Sequence, residues 1–344
     1  MADGRRLIPI LSRFFISNKN GSLIAVLASL TITLAVLSMA VGPSLVGFKE
    51  IALWLRGLSA DSAETIILFI RLPRTLGCIV AGGALAVSGL LLQTVMQNPL
   101  ASPGIIGVNA GAGLFVVLAA SVLPPLFWIR GSAAFIGAMA AAMIIWLIAA
   151  RTGASKTTVV LSGVAISSLL SALIDSVITV FPASVTDKTA FFIGGFSSAS
   201  LRQVLTSLPF AAVALLISAL MSRQLDLLPM GDEVAASLGL NVKRCRFLAI
   251  LCAALLAAAA VSIAGLLGFV GLIVPHMARK LTNRSMRTLL PVTLLLGISL
   301  TLLCDILARV LFAPYELSAG IPLSLIGAPF FLKLILSRRR NRHD

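Results

Sequence analysis

Long apolar stretches dominate this chain, and they alternate with short polar segments that carry most of its lysines and arginines. An apolar helix of about 20 residues is long enough to cross the hydrocarbon core of a bilayer. Hydrophobic residues make up 59% of the 344 residues and charged residues only 11%, which is more apolar surface than a water-soluble core can bury. The sequence therefore predicts an all-α, polytopic membrane protein.

We predict about ten transmembrane helices, joined by short loops and by short helices that do not cross the membrane. The eighth is short for a full span and contains Pro275, which is typical of a half-crossing or a kinked segment. The whole chain, 1–344, is predicted to form one transmembrane domain with polar tails at 1–21 and 338–344. The ten predicted helices are 22–41, 75–95, 104–123, 132–150, 158–181, 204–221, 246–266, 268–281, 287–312 and 321–337.

The net charge of +15 has two possible explanations. A single basic patch would indicate a nucleic-acid surface, but the basic residues fall in several short segments between apolar stretches. If the N-terminus lies inside and each helix crosses once, 19 of the 27 lysines and arginines lie on the inner side. By the positive-inside rule we predict a multi-pass membrane protein with both termini in the cytoplasm and no nucleic-acid partner.

The fifth predicted helix carries a polar stripe on an otherwise apolar surface. An aspartate facing lipid would be costly, so the stripe should face a water-filled path. Hydrogen bonding to a neighbouring helix is the alternative. The stripe recurs at spacings of three or four residues and consists of Ser168, Ser171, Asp175 and Thr179.

Several other residues have simpler structural interpretations. Glycines in the second and third helices, among them Gly107 and Gly111, predict close helix packing. Asp305 and Arg309 are four residues apart and predict an ion pair within one helix. The cysteines form no C-x-x-C pair, which predicts buried apolar residues and no metal site. They are Cys78, Cys245, Cys252 and Cys304.

The segment 231–242 differs from the rest of the chain because it is short and polar and lies between the sixth and seventh predicted helices. Asp232 and Glu233 suit the first turn of a helix, and Gly239 suits its C-terminal cap. A short amphipathic helix on the inner side is suited to docking another protein. A solvated loop is the alternative.

Seven segments in a fixed order carry a resemblance to a known family. They are RLPRTL (71–76), GGALAVSGLLLQ (82–93), NPLASPGIIGVNAGA (98–112), MGDEVAASLGLNV (230–242), GFVGLIVPHMAR (268–279), DILAR (305–309) and IGAPFFLKLIL (326–336). Together they resemble the FecCD-type permeases, the membrane subunits of ABC importers for ferric siderophores, haem and cobalamin. One departure is Ser318, where the family often has a proline; it affects the local turn before the last helix.

The resemblance implies the partners of the chain. Such permeases pair with a second copy or a paralogue around a central path. Two cytoplasmic ATPase subunits dock on the pair, and a substrate-binding protein docks on the extracytoplasmic side. The chain would then be a transport subunit in the bacterial inner membrane, without catalytic residues or a cofactor of its own, since ATP and Mg²⁺ are bound by the ATPase.

The resemblance also implies a role for particular residues. Residues 223–245 correspond to the region that couples the permease to the ATPase, and the polar stripe corresponds to the translocation path. The inner end of the fifth helix, Lys156 and Thr157, falls at a cytoplasmic gate. The basic positions expected to dock the binding protein are Arg71, Arg74 and Arg309. The expected coupling residues are Gly231, Asp232, Glu233, Ala236, Leu238 and Gly239.

The substrate is less constrained than the class of protein. The segment 98–109 is closer to members that carry ferric siderophores, so we expect a ferric-siderophore permease. Haem and cobalamin or a related corrinoid are the alternatives within the family. A secondary transporter driven by an ion gradient is the alternative from a different class, although it would leave 231–242 without a function. The sequence leaves a homodimer and a heterodimer equally open.

Overall fold

The structure is a computed structural model that describes residues 8–42, 47–57, 61–104, 107–123, 127–151, 156–182, 191–282, 285–311, 313 and 315–340. These ranges contain fourteen α-helices and no β-strand. A π-helical turn, Ile67–Arg71, joins α3 to α4, and a 3-10 turn, Leu228–Met230, joins α9 to α10. The helices are α1 Ile8–Ala40, α2 Phe48–Leu55, α3 Asp61–Ile66, α4 Leu72–Val95, α5 Val108–Val122, α6 Phe127–Arg151, α7 Lys156–Val180, α8 Leu201–Leu220, α9 Ser222–Leu227, α10 Asp232–Ser237, α11 Val242–Ala264, α12 Val270–Leu281, α13 Met286–Val310 and α14 Gly320–Arg340.

The all-α fold class is confirmed, and each of the ten predicted helices is present. Among the described residues, six helical segments are long and apolar enough to cross a membrane, and three more are apolar but shorter. The helix α12 has 12 residues and is therefore about 18 Å long, too short for a full crossing. The number of complete crossings stays a prediction.

The ends of the chain differ from the sequence prediction. The helix α1 begins at Ile8, well before the predicted start at residue 22, because the helix continues past its apolar part into a segment with Arg13 and Lys19. At the other end, α14 continues to Arg340. Residues 1–7 and 341–344 of the predicted tails lie outside the described residues.

The helix α4 lies at the centre of the molecule and packs against α8, α11, α12 and α13. Small residues permit this, as predicted. Gly82 meets Gly297 of α13, and Gly89 meets Gly271 of α12, so closely that a Cβ atom at Gly82 or Gly89 would overlap the neighbouring helix. Without such contacts the helices of a membrane protein have little to hold them together, since lipid is as apolar as their side chains.

A second packing unit joins α5 and α6 to α11. Gly111 of α5 meets Gly137 of α6 at backbone contact distance, which confirms its predicted role in packing. Gly107 instead caps the start of α5 with a left-handed backbone (φ 71°). The helix α7 lies at the edge of this unit. In its most apolar stretch of 18 residues only 11% is buried, against 83% in the most apolar stretch of Ala63–Val95, the segment that contains α4.

Two single features contribute to the core. All four cysteines are buried and form no disulfide, as expected of small apolar residues. The segment 191–199, between α7 and α8, begins with a helical turn at 191–193, and its Phe191 and Phe196 are buried. These phenylalanines pack against the core because the segment folds under the end of α11, where Gly195 N–H donates to Ala264 O at 2.8 Å.

Candidate functional site

Five charged side chains from distant parts of the chain meet where α4 begins and α13 ends. Asp305 is completely buried between two arginines. Its carboxylate accepts from Arg74 Nε at 3.0 and 3.1 Å and pairs with Arg309 Nη2 at 3.0 Å. Arg74 Nη1 also pairs with Glu316 Oε2 at 2.6 Å. We call Arg71, Arg74, Asp305, Arg309 and Glu316 the arginine cluster.

The arginine cluster also holds the C-terminal end of α1. The last carbonyl groups of a helix lack partners within the helix and carry its partial negative charge, so guanidinium groups are suitable partners for them. Arg71 Nη1 donates to the carbonyls of Met39 and Ala40 at 2.6 and 2.9 Å. Arg309 Nη1 donates to the carbonyls of Ser38 and Val41 at 2.9 and 2.8 Å.

The three arginines predicted to dock a binding protein do lie together at one end of the molecule. Arg71, Arg74 and Arg309 are each 4% exposed or less, and their guanidinium groups are engaged within the chain. The structure therefore assigns them to the joining of α1, α4, α13 and the segment before α14. The docking role stays a prediction, and the most accessible acid of the cluster is Glu316, whose side chain is 33% exposed.

The predicted coupling region contains a well-formed short helix, α10, as the sequence indicated. Asp232 and Glu233 occupy its first turn. It ends in a Schellman motif, in which Leu240 N–H donates to Ala235 O at 3.0 Å and Gly239 N–H donates to Ala236 O at 2.9 Å. The predicted cap is confirmed, because Gly239 takes the left-handed backbone that this motif requires (φ 85°). We call residues 230–240 the coupling segment.

The coupling segment presents an apolar face to its surroundings. Met230, Val234 and Leu238 follow each other at four-residue spacing and are 58%, 48% and 58% exposed. Ala235 faces inward and is fully buried. Of the residues singled out by the resemblance, Asp232, Glu233, Ala236, Leu238 and Gly239 are exposed, and Gly231 starts the helix with a positive φ of 101°.

A salt bridge fixes the coupling segment to the body of the protein. Both carboxylate oxygens of Asp232 accept from Arg246 of α11, at 2.6 and 2.8 Å. Such a bidentate pair fixes orientation as well as distance, so the short helix cannot rotate freely on its loop. Sequence reasoning placed Asp232 at a helix start but gave no signal for its pairing with Arg246, fourteen residues further on.

The arginine cluster and the coupling segment lie at opposite ends of one helix. Arg74 stands in the first turn of α4, and Gln97, just past its last turn, donates through Nε2 to Leu228 O at 2.6 Å, next to the coupling segment. With 24 residues, α4 is about 36 Å long, slightly more than the hydrocarbon core of a bilayer. The two sites therefore lie on opposite sides of the membrane that the helices would cross.

The polar stripe of the fifth predicted helix, now α7, faces away from the rest of the chain. Ser168, Ser171, Asp175 and Thr179 are all exposed. Within the described part of the chain, the hydroxyls of Ser168 and Thr179 donate only to carbonyls of their own helix, Val164 O and Asp175 O. Lys156 is the first residue of α7 and Thr157 the second, but the side chains at this predicted gate lie outside the described part of the structure.

Two contacts of the segment before α14 could not be predicted from the sequence. Glu316 lies 242 residues from Arg74, so no local pattern relates them. Ser318, the departure from the family pattern, has a structural explanation: its hydroxyl donates to Gly194 O, and Gly320 N–H donates to the same carbonyl at 3.0 Å. The serine thus anchors the turn before α14 by a hydrogen bond that a proline could not donate.

Comparison with solved structures supports the same conclusion about the fold. A structure described as an inward-facing conformation of a metal-chelate type ABC transporter is 28% identical, with a TM-score of 0.80 over 92% of this chain and 99% of that chain. The fold, its membrane-crossing helices and its two end sites define a transmembrane permease of the ABC transporter class. Within that class, the chain belongs to the FecCD transport family, whose model matches residues 30–337.

Curated relatives cover nearly the whole chain. The Fe(3+)-citrate import system permease protein YfmD of Bacillus subtilis is 37% identical over 87% of this chain and 89% of its own length. The hemin transport system permease protein HmuU of Yersinia pestis is 38% identical over 82% of this chain and 86% of its own length. The Fe(3+) dicitrate transport system permease protein FecC of Escherichia coli is 36% identical over 83% and 87%.

Proposed function

We propose that this chain is the permease subunit of an ATP-driven importer that carries a ferric-siderophore complex across the bacterial inner membrane. The observation that carries the proposal is the placement of the coupling segment. It is a capped, exposed, apolar-faced helix fixed to α11 by a salt bridge, at one end of the central helix α4. Such a helix can transmit a movement only if it is rigid and has a partner to push against it.

The partner at that end is an ATPase subunit. A separate protein that binds ATP and Mg²⁺ would seat Met230, Val234 and Leu238 in a groove, which gives their exposed side chains an apolar contact. The permease itself carries out no chemistry. Two ATPase subunits, moving together or apart, would switch two permease chains between inward-open and outward-open states.

A second permease chain completes the path. The polar stripe of α7 is exposed in the single chain, and a carboxylate such as that of Asp175 is costly against lipid. A second copy or a paralogue placed against α7 would surround the stripe with protein and water instead. Lys156 and Thr157, at the first turn of α7, would then lie at the cytoplasmic gate.

The opposite end of α4 would receive an extracytoplasmic substrate-binding protein. Acidic residues of that protein would be directed toward the arginine cluster by charge, which favours orientation and rapid association. Because Arg74 is already paired with Glu316, docking through Arg74 requires the incoming carboxylate to take the place of Glu316. The positive-inside distribution of charge supports an orientation with both termini in the cytoplasm.

The relatives support an iron chelate as the substrate, because their names include ferric citrate and hemin permeases. Uptake into proteoliposomes that also contain the co-encoded ATPase and binding protein tests the proposal, with a ferric siderophore, haem and cobalamin compared. We expect uptake of the ferric siderophore that stops when ATP, the ATPase or the binding protein is omitted. Preference for haem or cobalamin would correct the substrate, and uptake driven by an ion gradient without ATP would contradict the importer.

A further inference from the structure

A groove with two arginines lies at the start of α9, the short helix that precedes the coupling segment in the sequence. It is formed where α8 ends, α9 begins and α13 begins, and it has a volume of about 410 Å³. That volume falls within the roughly 300–1,000 Å³ of small-molecule sites. Its lining combines the polar residues Ser222, Arg223 and Arg287 with the apolar residues Leu220, Leu290 and Pro291.

The position of the groove relative to the membrane follows from its helices. Both α8 and α13 are long and apolar enough to cross a bilayer. The groove contains the last residue of α8, Leu220, and the second residue of α13, Arg287, so it lies where two crossing helices reach the water. Leu220 is 75% exposed and faces the side where lipid would be.

The two guanidinium groups of the groove have no acidic partner among the residues that the structure describes. Arg223 and Arg287 are exposed and make no hydrogen bond or ion pair with any residue that the structure describes. The nearest acid in the sequence, Asp226, is engaged elsewhere: its carboxylate accepts from Met286 N–H at 2.7 Å and Ser285 Oγ at 3.2 Å. These bonds tie α9 to the start of α13 and so hold the walls of the groove together.

From these observations we propose that the groove binds an anionic phospholipid of the leaflet next to the coupling segment. The phosphate would lie between Arg223 and Arg287, with Ser222 as a further donor, and an acyl chain would follow Leu220, Leu290 and Pro291 toward the bilayer. An inorganic anion would leave the apolar wall unused. An acidic protein segment would have to reach into the level of the lipid to meet both arginines.

Native mass spectrometry of the purified full chain tests this proposal, with phosphatidylglycerol and phosphatidylcholine of equal acyl length as probes. We expect Arg223→Gln/Arg287→Gln to bind phosphatidylglycerol about thirtyfold more weakly, since each surface arginine strengthens binding of an anionic lipid about fivefold. Phosphatidylcholine binding should change little. The double substitution to lysine keeps both charges, should retain most of the affinity, and shows that the fold tolerates changes here.

The matched control is Lys243→Gln/Arg244→Gln, which removes two exposed charges at the start of α11, outside the groove. Its phosphatidylglycerol binding should equal that of the unchanged chain. Equal losses in both double variants, or none in either, would overturn the proposal. So would displacement of the lipid by glycerol phosphate at the same concentration, which would indicate a free-phosphate site. Weaker capture of the ATPase with unchanged lipid binding would assign the groove to a protein partner instead.

Discussion

At the scale of single residues, the arginine cluster is the most constrained feature of the molecule. Asp305 has no exposure to solvent and faces Arg74 on one side and Arg309 on the other. A charge removed from water is tolerated only when its partners remain in place. The carboxylate therefore stabilises the protein chiefly by keeping two buried guanidinium groups from being left without a counter-charge.

Asp305→Asn should lower stability substantially. The substitution keeps the shape of the side chain but leaves two buried arginines facing a neutral amide, a loss of about 3–5 kcal/mol for breaking a buried pair. The apparent melting temperature of the detergent-solubilised chain measures it. Glu316→Gln is the control, because its carboxyl is one-third exposed and Arg74 keeps Asp305, so a cost below about 1 kcal/mol is expected. Equal melting temperatures for both variants would contradict the role of Asp305.

The residue scale also shows what sequence can predict. The ion pair of Asp305 and Arg309 was predictable because side chains that are four residues apart on one helix are neighbours. The pairing of Arg74 with Asp305 was not, since 231 residues separate them and only the packing of α4 on α13 brings them together. For the same reason, the resemblance placed all three arginines at one outer face but could not show that the fold buries them.

At the scale of helices, the sequence predicted where a helix starts and ends but not which of its faces points outward. The start and the cap of α10 follow from Asp232, Glu233 and Gly239 alone, since capping depends only on the neighbouring backbone. Which face of α10 points outward depends on Arg246, and that contact needs the path of the intervening chain. Likewise, glycines predicted close packing in α4 and α5, but their partners Gly271, Gly297 and Gly137 appear only in the fold.

Gly239→Trp should uncouple the ATPase from transport while the chain still assembles in the membrane. No atom lies within 4 Å of the position a Cβ would occupy, so the indole would project from the docking surface rather than into the chain. The left-handed backbone adds a cost of about 1–2 kcal/mol. ATPase activity stimulated by the loaded binding protein measures the effect.

Gly239→Asn is the control for this change. Asparagine tolerates the left-handed conformation and is much smaller than tryptophan, so most of the stimulated activity should remain. Normal transport by Gly239→Trp would refute the coupling role of this segment.

Gly89→Ala should destabilise the contact between α4 and α12. A Cβ atom at this position would overlap the backbone of Gly271, and backbone cannot move aside as a side chain can. The expected cost is about 1–3 kcal/mol or more, seen as a lower melting temperature. Gly83→Ala, six residues earlier, meets only side-chain atoms, those of Leu294 and Ile298, which can move aside, so this substitution should be nearly neutral. A tolerated Gly89→Ala would mean that the helices pack less closely than described.

At the scale of the whole molecule, the chain is asymmetric: one side is a packed core around α4, and the other is the poorly buried α7. The fold class and the ten helices follow from apolar length alone. The exposed side of α7 does not, because a sequence cannot distinguish a stripe that faces a neighbouring helix from one that faces a second chain. Among the described residues, the hydroxyls of Ser168 and Thr179 bond only to carbonyls of α7, which gives no support to the first alternative.

Cysteine labelling can show whether the polar stripe faces water in the assembled transporter. Ser171→Cys should react with a charged, membrane-impermeant thiol reagent, because a path lined by the stripe is water-filled. Leu169→Cys is a matched control: Leu169 is 62% exposed in the single chain but lies outside the stripe, so it should not react. The native cysteines are all buried and give little background. Equal labelling at both positions would contradict a path along the stripe.

The hold of the arginine cluster on α1 has an evolutionary consequence. Four of its hydrogen bonds reach main-chain oxygens, at Ser38, Met39, Ala40 and Val41, and every amino acid supplies the same oxygen. Mutations at the last three of these positions can therefore accumulate without releasing the helix, while the two arginines that hold it cannot be exchanged so freely. The information that attaches the end of the first helix is therefore stored outside it, in Arg71 and Arg309.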